Sequence, residues 1–274
     1  MQKFKLTCIE NCVDMCMAAW RLGWHEFHAG NISYRLAEAE KHIALENVNA
    51  PQAEWHSMPL IVPSLGGECF LVSAAGSGFR RLDAAPEKYL GIVELNVEGS
   101  AWRCLWGLEG SHPTSEFPAH LMNHEIKRRY AGDKYHVIYH AHPTNLIALS
   151  FVLPLEDAVF TRELWEMEPE CAMTFPNGIG VLPWVTPGSE QSAIATGEKM
   201  RDYDVVLWAY HGAFCAGEDF EKTFGVMHTV EKSAEILVKT LAIGGKRQYP
   251  SADNLRNLKE PFCLDLPERF LFKK

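Results

Sequence analysis

The residues best suited to chemistry are three histidines. His140-Ala141-His142 closes a run over residues 136–142 that reads as a strand. Alternate strand residues point to one face with Cα atoms about 7 Å apart, so two imidazoles there can converge on one ion with Zn–N bonds of about 2.0–2.1 Å. His211 ends a second strongly apolar run, residues 204–210, and Gly212 after it permits close backbone approach. An isolated His-x-His is usually a pair of surface histidines. A third imidazole at another strand terminus shifts the reading to a divalent metal, zinc above all, with positions left free for catalysis.

A rival constellation lies upstream. Glu116, His120 and His124 are spaced four apart and share one face of a helix. The stretch lacks the Glu of a zincin HExxH, so a second metal site is poorly supported, and His124 reads as solvated or capping. Glu116 follows Pro113-Thr114-Ser115 at the helix start, where backbone N–H groups favour anions. The pattern leaves two roles open for it, helix-dipole partner or functional acid/base. Gly30-Asn31 and the turn Ala74-Ala75-Gly76-Ser77-Gly78 expose the kind of backbone that can receive a phosphate, although each taken singly reads as an ordinary loop.

These residues need a scaffold of interleaved helices and strands. Hydrophobic periodicity predicts a helix over 5–22, a strand over 32–36, and short strands at 69–73, 91–97 and 101–106. Ser115 can cap a helix running to about Arg129, and Thr144 can open the helix over 146–153. Strands are expected at 170–175 and 179–184, a helix at 188–202, and a long amphipathic helix from Phe220 to about Leu241. Residues 37–67 have weak periodicity and read as a variable surface insertion. The order fits one α/β domain over residues 1–274, with helices on both faces of a sheet.

The chain has 274 residues, 47% of them apolar and 22% charged, in keeping with a sizeable core. Its net charge of −9 argues against nucleic acid or an anionic membrane as principal partner. Neither a signal peptide nor a spanning helix is apparent, which makes the cytoplasm the default compartment. Neither GxGxxG nor GxxxxGK[ST] is present, so nucleotide binding is poorly supported. Cys8, Cys12 and Cys16 would stack on one helix face, where buried cysteines act as small hydrophobes.

Taken together, Gly30-Asn31, Pro113-Thr114-Ser115-Glu116, His140-Ala141-His142 and His211-Gly212-Ala213-Phe214 resemble the class II aldolase/adducin family. Leu105-Trp106-Gly107-Leu108, Glu170-Cys171 and Thr223-Phe224-Gly225 extend the likeness, which runs from about residue 18 to 245. The resemblance implies a three-layer α/β/α sandwich around a largely antiparallel mixed sheet, one zinc per subunit, and a C4 homotetramer with sites at subunit interfaces. It implies retro-aldol cleavage of a small sugar phosphate, L-rhamnulose 1-phosphate, to dihydroxyacetone phosphate and L-lactaldehyde. His140, His142 and His211 would be the metal ligands. Glu116 would be the principal acid/base, and Glu170 a second one reaching a neighbouring subunit's site. Asn31, Gly76, Thr114 and Ser115 would lie around the phosphate.

The sequence departs from the family pattern at His28, where Asn is usual, and at Ala75-Gly76, where Ser-Gly is usual. Ser77 is the residue able to replace the lost hydroxyl. The tail after Gly245 has no counterpart in the pattern. A 4-epimerase or another sugar-phosphate aldolase of the same family is the main alternative. A non-catalytic adducin-like interaction module is disfavoured by the intact histidines and Glu116.

Overall fold

The computed structural model describes residues 6–46 and 54–271. In chain order its elements are α1 (Thr7–Arg21), β1 (Asn31–Arg35), α2 (Glu38–Glu46), β2 (His56–Ser57), β3 (Cys69–Ser73), α3 (Pro86–Tyr89), β4 (Leu90–Leu95) and β5 (Ala101–Gly107). There follow α4 (Phe117–Ala131), β6 (Val137–Ala141), α5 (Thr144–Leu149), α6 (Asp157–Trp165), α7 (Pro169–Thr174), β7 (Ile179–Leu182) and α8 (Glu190–Met200). The chain closes with β8 (Val205–Trp208), β9 (Gly212–Gly217), α9 (Phe220–Ala242), α10 (Ala252–Arg256) and α11 (Lys259–Phe262).

The strands form one sheet in the order β2-β5-β4-β3-β1-β6-β9-β8-β7. Every pairing is antiparallel except β7 with β8. Period-two alternation assigns the two faces. Along β3, Cys69 and Leu71 join the core cluster that holds α1 and α9, whereas Phe70 and Val72 join the one holding Phe117 and Leu121 of α4. Both faces are therefore covered, giving the expected α/β/α sandwich. Cys8, Cys12 and Cys16 are buried on α1 as free thiols, in keeping with core packing.

Several expectations need correction. Residues 170–175 form α7 rather than a strand, with Pro169 at its start, where a missing N–H costs nothing. The segment 37–67 is no mere surface insertion. It carries α2, and its Leu60, Val62 and Leu65 seal the α4 face of the sheet, while residues 47–53 lie outside those described. Strand β9 was not expected at all. The cap of α4 is Glu116, and Ser115 stands one residue before it, exposed. The tail after Gly245 docks on α6. Phe270 and Leu271 are buried, their carbonyls accept from Arg162 Nη1, and Arg162 Nε pairs with Glu166 at 2.6 Å. Lys246 reaches the same buried Glu166 at 2.6 Å, so the carboxylate is shared by two cations.

Candidate active site and metal centre

Register brings the site together. β1, β6 and β9 lie side by side, so Asn31 stands opposite His140, and His140 opposite Phe214. His142 follows β6 directly and donates its backbone N–H to Trp24 O at 3.1 Å. His211 occupies the tight connection between β8 and β9, its N–H bonded to Trp208 O at 3.1 Å. Gly212 is required there, because a Cβ would lie 2.5 Å from Ala141 O and 2.9 Å from both the His140 and His142 rings. Gly30 is required for the same kind of reason. Its φ is +75°, and a Cβ would meet His25 Nδ1 at 2.2 Å.

The three imidazoles offer ligand atoms that all lie within 4.8 Å of one another, a cluster able to hold a metal ion. The donors are set for it. His140 Nδ1 donates to Ala213 O at 3.1 Å, and His142 Nδ1 to Glu26 Oε1 at 2.8 Å. With the proton on Nδ1, the bare Nε2 lone pair is free to ligate, the arrangement usual for metal-binding histidine. Burial and the neighbouring imidazoles push the His140 ring well below its ordinary pKa, and burial pushes His211 down to about 4, so both are neutral donors at pH 7. Among the described residues, His211 Nδ1 is buried without a hydrogen-bond partner, as suits an atom reserved for another group. The residues fit a divalent metal.

Glu116 is buried beside this cluster, its Oε2 3.6 Å from His140 Nε2. Burial raises its carboxyl pKa, while an N–H···O bond of 2.9 Å from Asn31 Nδ2 pulls it back. A carboxyl group beside three imidazoles able to hold a metal is placed to transfer a proton. Asn31 does not project freely into the site, because its Oδ1 is bound to His120 Nε2. His120 and His124 are both fully enclosed and both bonded to the Ser33 hydroxyl, at 2.8 and 2.9 Å. His124 is therefore neither solvated nor a cap. It belongs to a buried hydrogen-bond chain.

The loops expected around a phosphate meet at the same end. Ala74 bridges to Pro113, Thr114 N–H bonds Ser73 O at 2.8 Å, and a Cβ on Gly78 would lie 2.6 Å from Phe27 O. Gly76 has φ +65° and is exposed. Ser77 turns inward, its hydroxyl donating to Ala74 O at 2.6 Å and its N–H to the same oxygen at 3.3 Å. Thr114 Oγ1 accepts from Glu116 N–H at 3.3 Å. Glu170 sits exposed in the first turn of α7, which packs on α9, and among the described residues it makes no hydrogen bond or ion pair with the three histidines. Sequence reasoning missed Glu26 and the Ser33–His120–His124 chain. The four-residue spacing of Glu116, His120 and His124 was the available signal for the chain.

Burial also predicts acid sensitivity. The rings of His25 and His120 are held down to about 3, against 6.5 when unfolded. Between those values the unfolded state binds the extra protons, so stability falls as pH drops from about 6.5, by up to roughly 1.4 kcal/mol per pH unit for each ring. Burial moves the Glu116 and Glu231 carboxyls the opposite way, so the clean measurement is a difference. His120→Gln should flatten the slope of unfolding free energy against pH, from urea melts between pH 6.5 and 5, by about one such increment. Parallel slopes for the two proteins would refute this.

The comparisons agree with the geometry. The model of the class II aldolase and adducin N-terminal domain matches residues 10–238. The chain is 42% identical to a rhamnulose-1-phosphate aldolase of Mannheimia succiniciproducens, over 93% of each chain. It is 39% identical to one of Klebsiella pneumoniae, over 93% of this chain and 92% of that one. Among solved structures, a sugar-phosphate aldolase from Thermotoga maritima superposes with a TM-score of 0.74 at 27% identity, covering 88% of this chain and 97% of its own. Fold, convergent histidines and sequence agree along most of the chain, which belongs to the class II aldolase and adducin N-terminal domain family.

Proposed function

We propose that this protein is a zinc-dependent aldehyde-lyase that cleaves L-rhamnulose 1-phosphate to dihydroxyacetone phosphate and L-lactaldehyde, working as a single domain in the cytoplasm. The observation that carries the reading is the buried Glu116 carboxylate 3.6 Å from His140, within the three-histidine cluster. Bound zinc would supply Lewis acidity to the negative charge that develops when C3–C4 breaks. His140, His142 and His211 would hold it. Glu116 delivers a proton to C3, and the lyase reading requires a second base for the C4 hydroxyl. Thr114 and Ser115 lie at the start of α4, where the helix dipole favours the phosphate, and the exposed Gly76 adds a turn amide. Asn31 serves Glu116 with one amide hydrogen and keeps a second available to substrate. Ser77 contributes to the phosphate only if its hydroxyl leaves Ala74 O.

The decisive assay gives purified, metal-loaded protein L-rhamnulose 1-phosphate and follows dihydroxyacetone phosphate. Release of that triose phosphate is expected. Its absence, or the appearance of a C4 epimer instead, refutes the lyase reading.

The second base is assigned to Glu170 of an adjacent subunit in a homotetramer. Its exposure on α7, unbonded to its own histidine cluster, suits a residue that acts across an interface. Mixed assemblies of Glu170→Ala and His142→Ala chains should regain activity that neither parent has, since some sites then combine intact parts. Absence of rescue in demonstrably mixed assemblies would remove Glu170 from the mechanism.

A further inference from the structure

We infer that Ser33, His120 and His124 are positioning residues whose one-way hydrogen-bond chain fixes the orientation of the Asn31 amide and so aims Glu116. The inference rests on the reading of Glu116 as the proton-transfer group.

The direction of the chain follows from its two ends. An ionised Glu116 can only accept, so Asn31 must present Nδ2 to it, as it does at 2.9 Å. Asn31 Oδ1 then faces His120 Nε2, which must donate. Burial keeps His120 neutral, its ring held down to about 3, so a proton on Nε2 leaves Nδ1 bare. That bare nitrogen lies 2.8 Å from Ser33 Oγ and accepts the hydroxyl proton. Ser33 Oγ in turn accepts from His124 Nε2 at 2.9 Å, and burial holds this ring neutral too. With Glu116 ionised, this order gives every link from Asn31 to His124 one donor and one acceptor.

The chain is built into the sheet and into α4. Asn31 and Ser33 are alternate residues of β1 on the face toward α4, and Glu116, His120 and His124 are successive four-residue steps along that helix. Ser33, His120 and His124 are all 2% exposed or less, so water does not compete for these bonds. Without a donor at His120, the Asn31 amide would be free to flip and turn its oxygen on the Glu116 carboxylate. The chain therefore acts on the orientation of Glu116, with the histidine cluster left as it is.

The test combines kinetics with a spectroscopic measurement. His120→Leu removes the donor at similar volume, and is expected to lower kcat about tenfold to a hundredfold, with KM and metal content near wild type. His120→Gln places an amide N–H close to the lost Nε2 and should restore most of kcat. In a Glu116→Gln background, His120→Leu should cost little further. An undiminished loss in that background, or failure of Gln to rescue, overturns the inference. Imidazole 15N spectra of the wild-type protein should show His120 and His124 as Nε2–H tautomers at pH 7. An Nδ1–H tautomer at His120 overturns it whatever the substrate proves to be. If Glu116→Gln alone keeps full turnover, the functional reading of Glu116 fails and the tautomers alone decide the chain.

Discussion

Replacing Glu116 by Gln is expected to lower kcat by about 10²–10⁴-fold while leaving KM and metal content close to wild type. The isostere keeps the volume of a buried side chain whose neighbours, Asn31 and His140, lie 2.9 and 3.6 Å away. What it loses is the ability to carry a proton at a position beside the three-histidine cluster. Asn31 Nδ2 can still donate to the new amide oxygen, so the fold has little reason to change. A thermal melt within a few degrees of wild type, combined with the kinetic loss, would isolate proton transfer from folding. Near-normal turnover would leave Glu116 as a helix-start carboxylate that favours the α4 dipole and nothing more.

Much of this site was readable from side-chain spacing, and the rest was hidden by packing. His140 and His142 announce themselves because a strand puts alternate residues on one face, and His211 because it follows an apolar run. Strand β9 escaped detection since Gly212-Ala213-Phe214-Cys215-Ala216-Gly217 is small, lacks polar alternation and is buried throughout. Its absence hid the fact that His140 and Phe214 stack, with ring centroids 4.4 Å apart. Residues 170–175 misled because a short stretch with four apolar residues fits either element, although Pro169 marked a helix start. Leu60 and Val62 lie in irregular backbone and Leu65 ends a three-residue 3-10 turn, Pro63–Leu65, so burial there leaves no period to read. His124 looked solvated because helix spacing says nothing of β1, and it is Ser33 that takes up its ring.

The largest loss is expected when the metal site itself is broken. His142→Ala removes a proposed ligand whose backbone is tied to Trp24 O and whose ring is oriented by Glu26, so the strand end should survive while metal binding should not. A Glu26→Ala variant provides the scale. Removing an outer partner of a ligating histidine costs about 10–100-fold in metal affinity, and the 65% exposure of the Glu26 side chain puts it toward the lower end. His142→Ala should exceed that range. Activity should vanish in His142→Ala and in wild-type protein treated with a chelator, and zinc should restore only the latter. A second readout does not depend on turnover. Added zinc stabilises the folded state by RT ln(1 + [Zn]/Kd), so the rise in Tm on titrating zinc should be large for wild type, smaller for Glu26→Ala and absent for His142→Ala. Metal analysis should give about one ion per chain in wild type, the stoichiometry of one three-histidine cluster. Full activity of the chelated protein, or a His142→Ala chain that still holds one ion and melts like the loaded wild type, would refute the metal centre. With it would fall the assignment of Glu116 to a proton at C3, because that carboxylate draws its reactivity from the charge stabilised beside it.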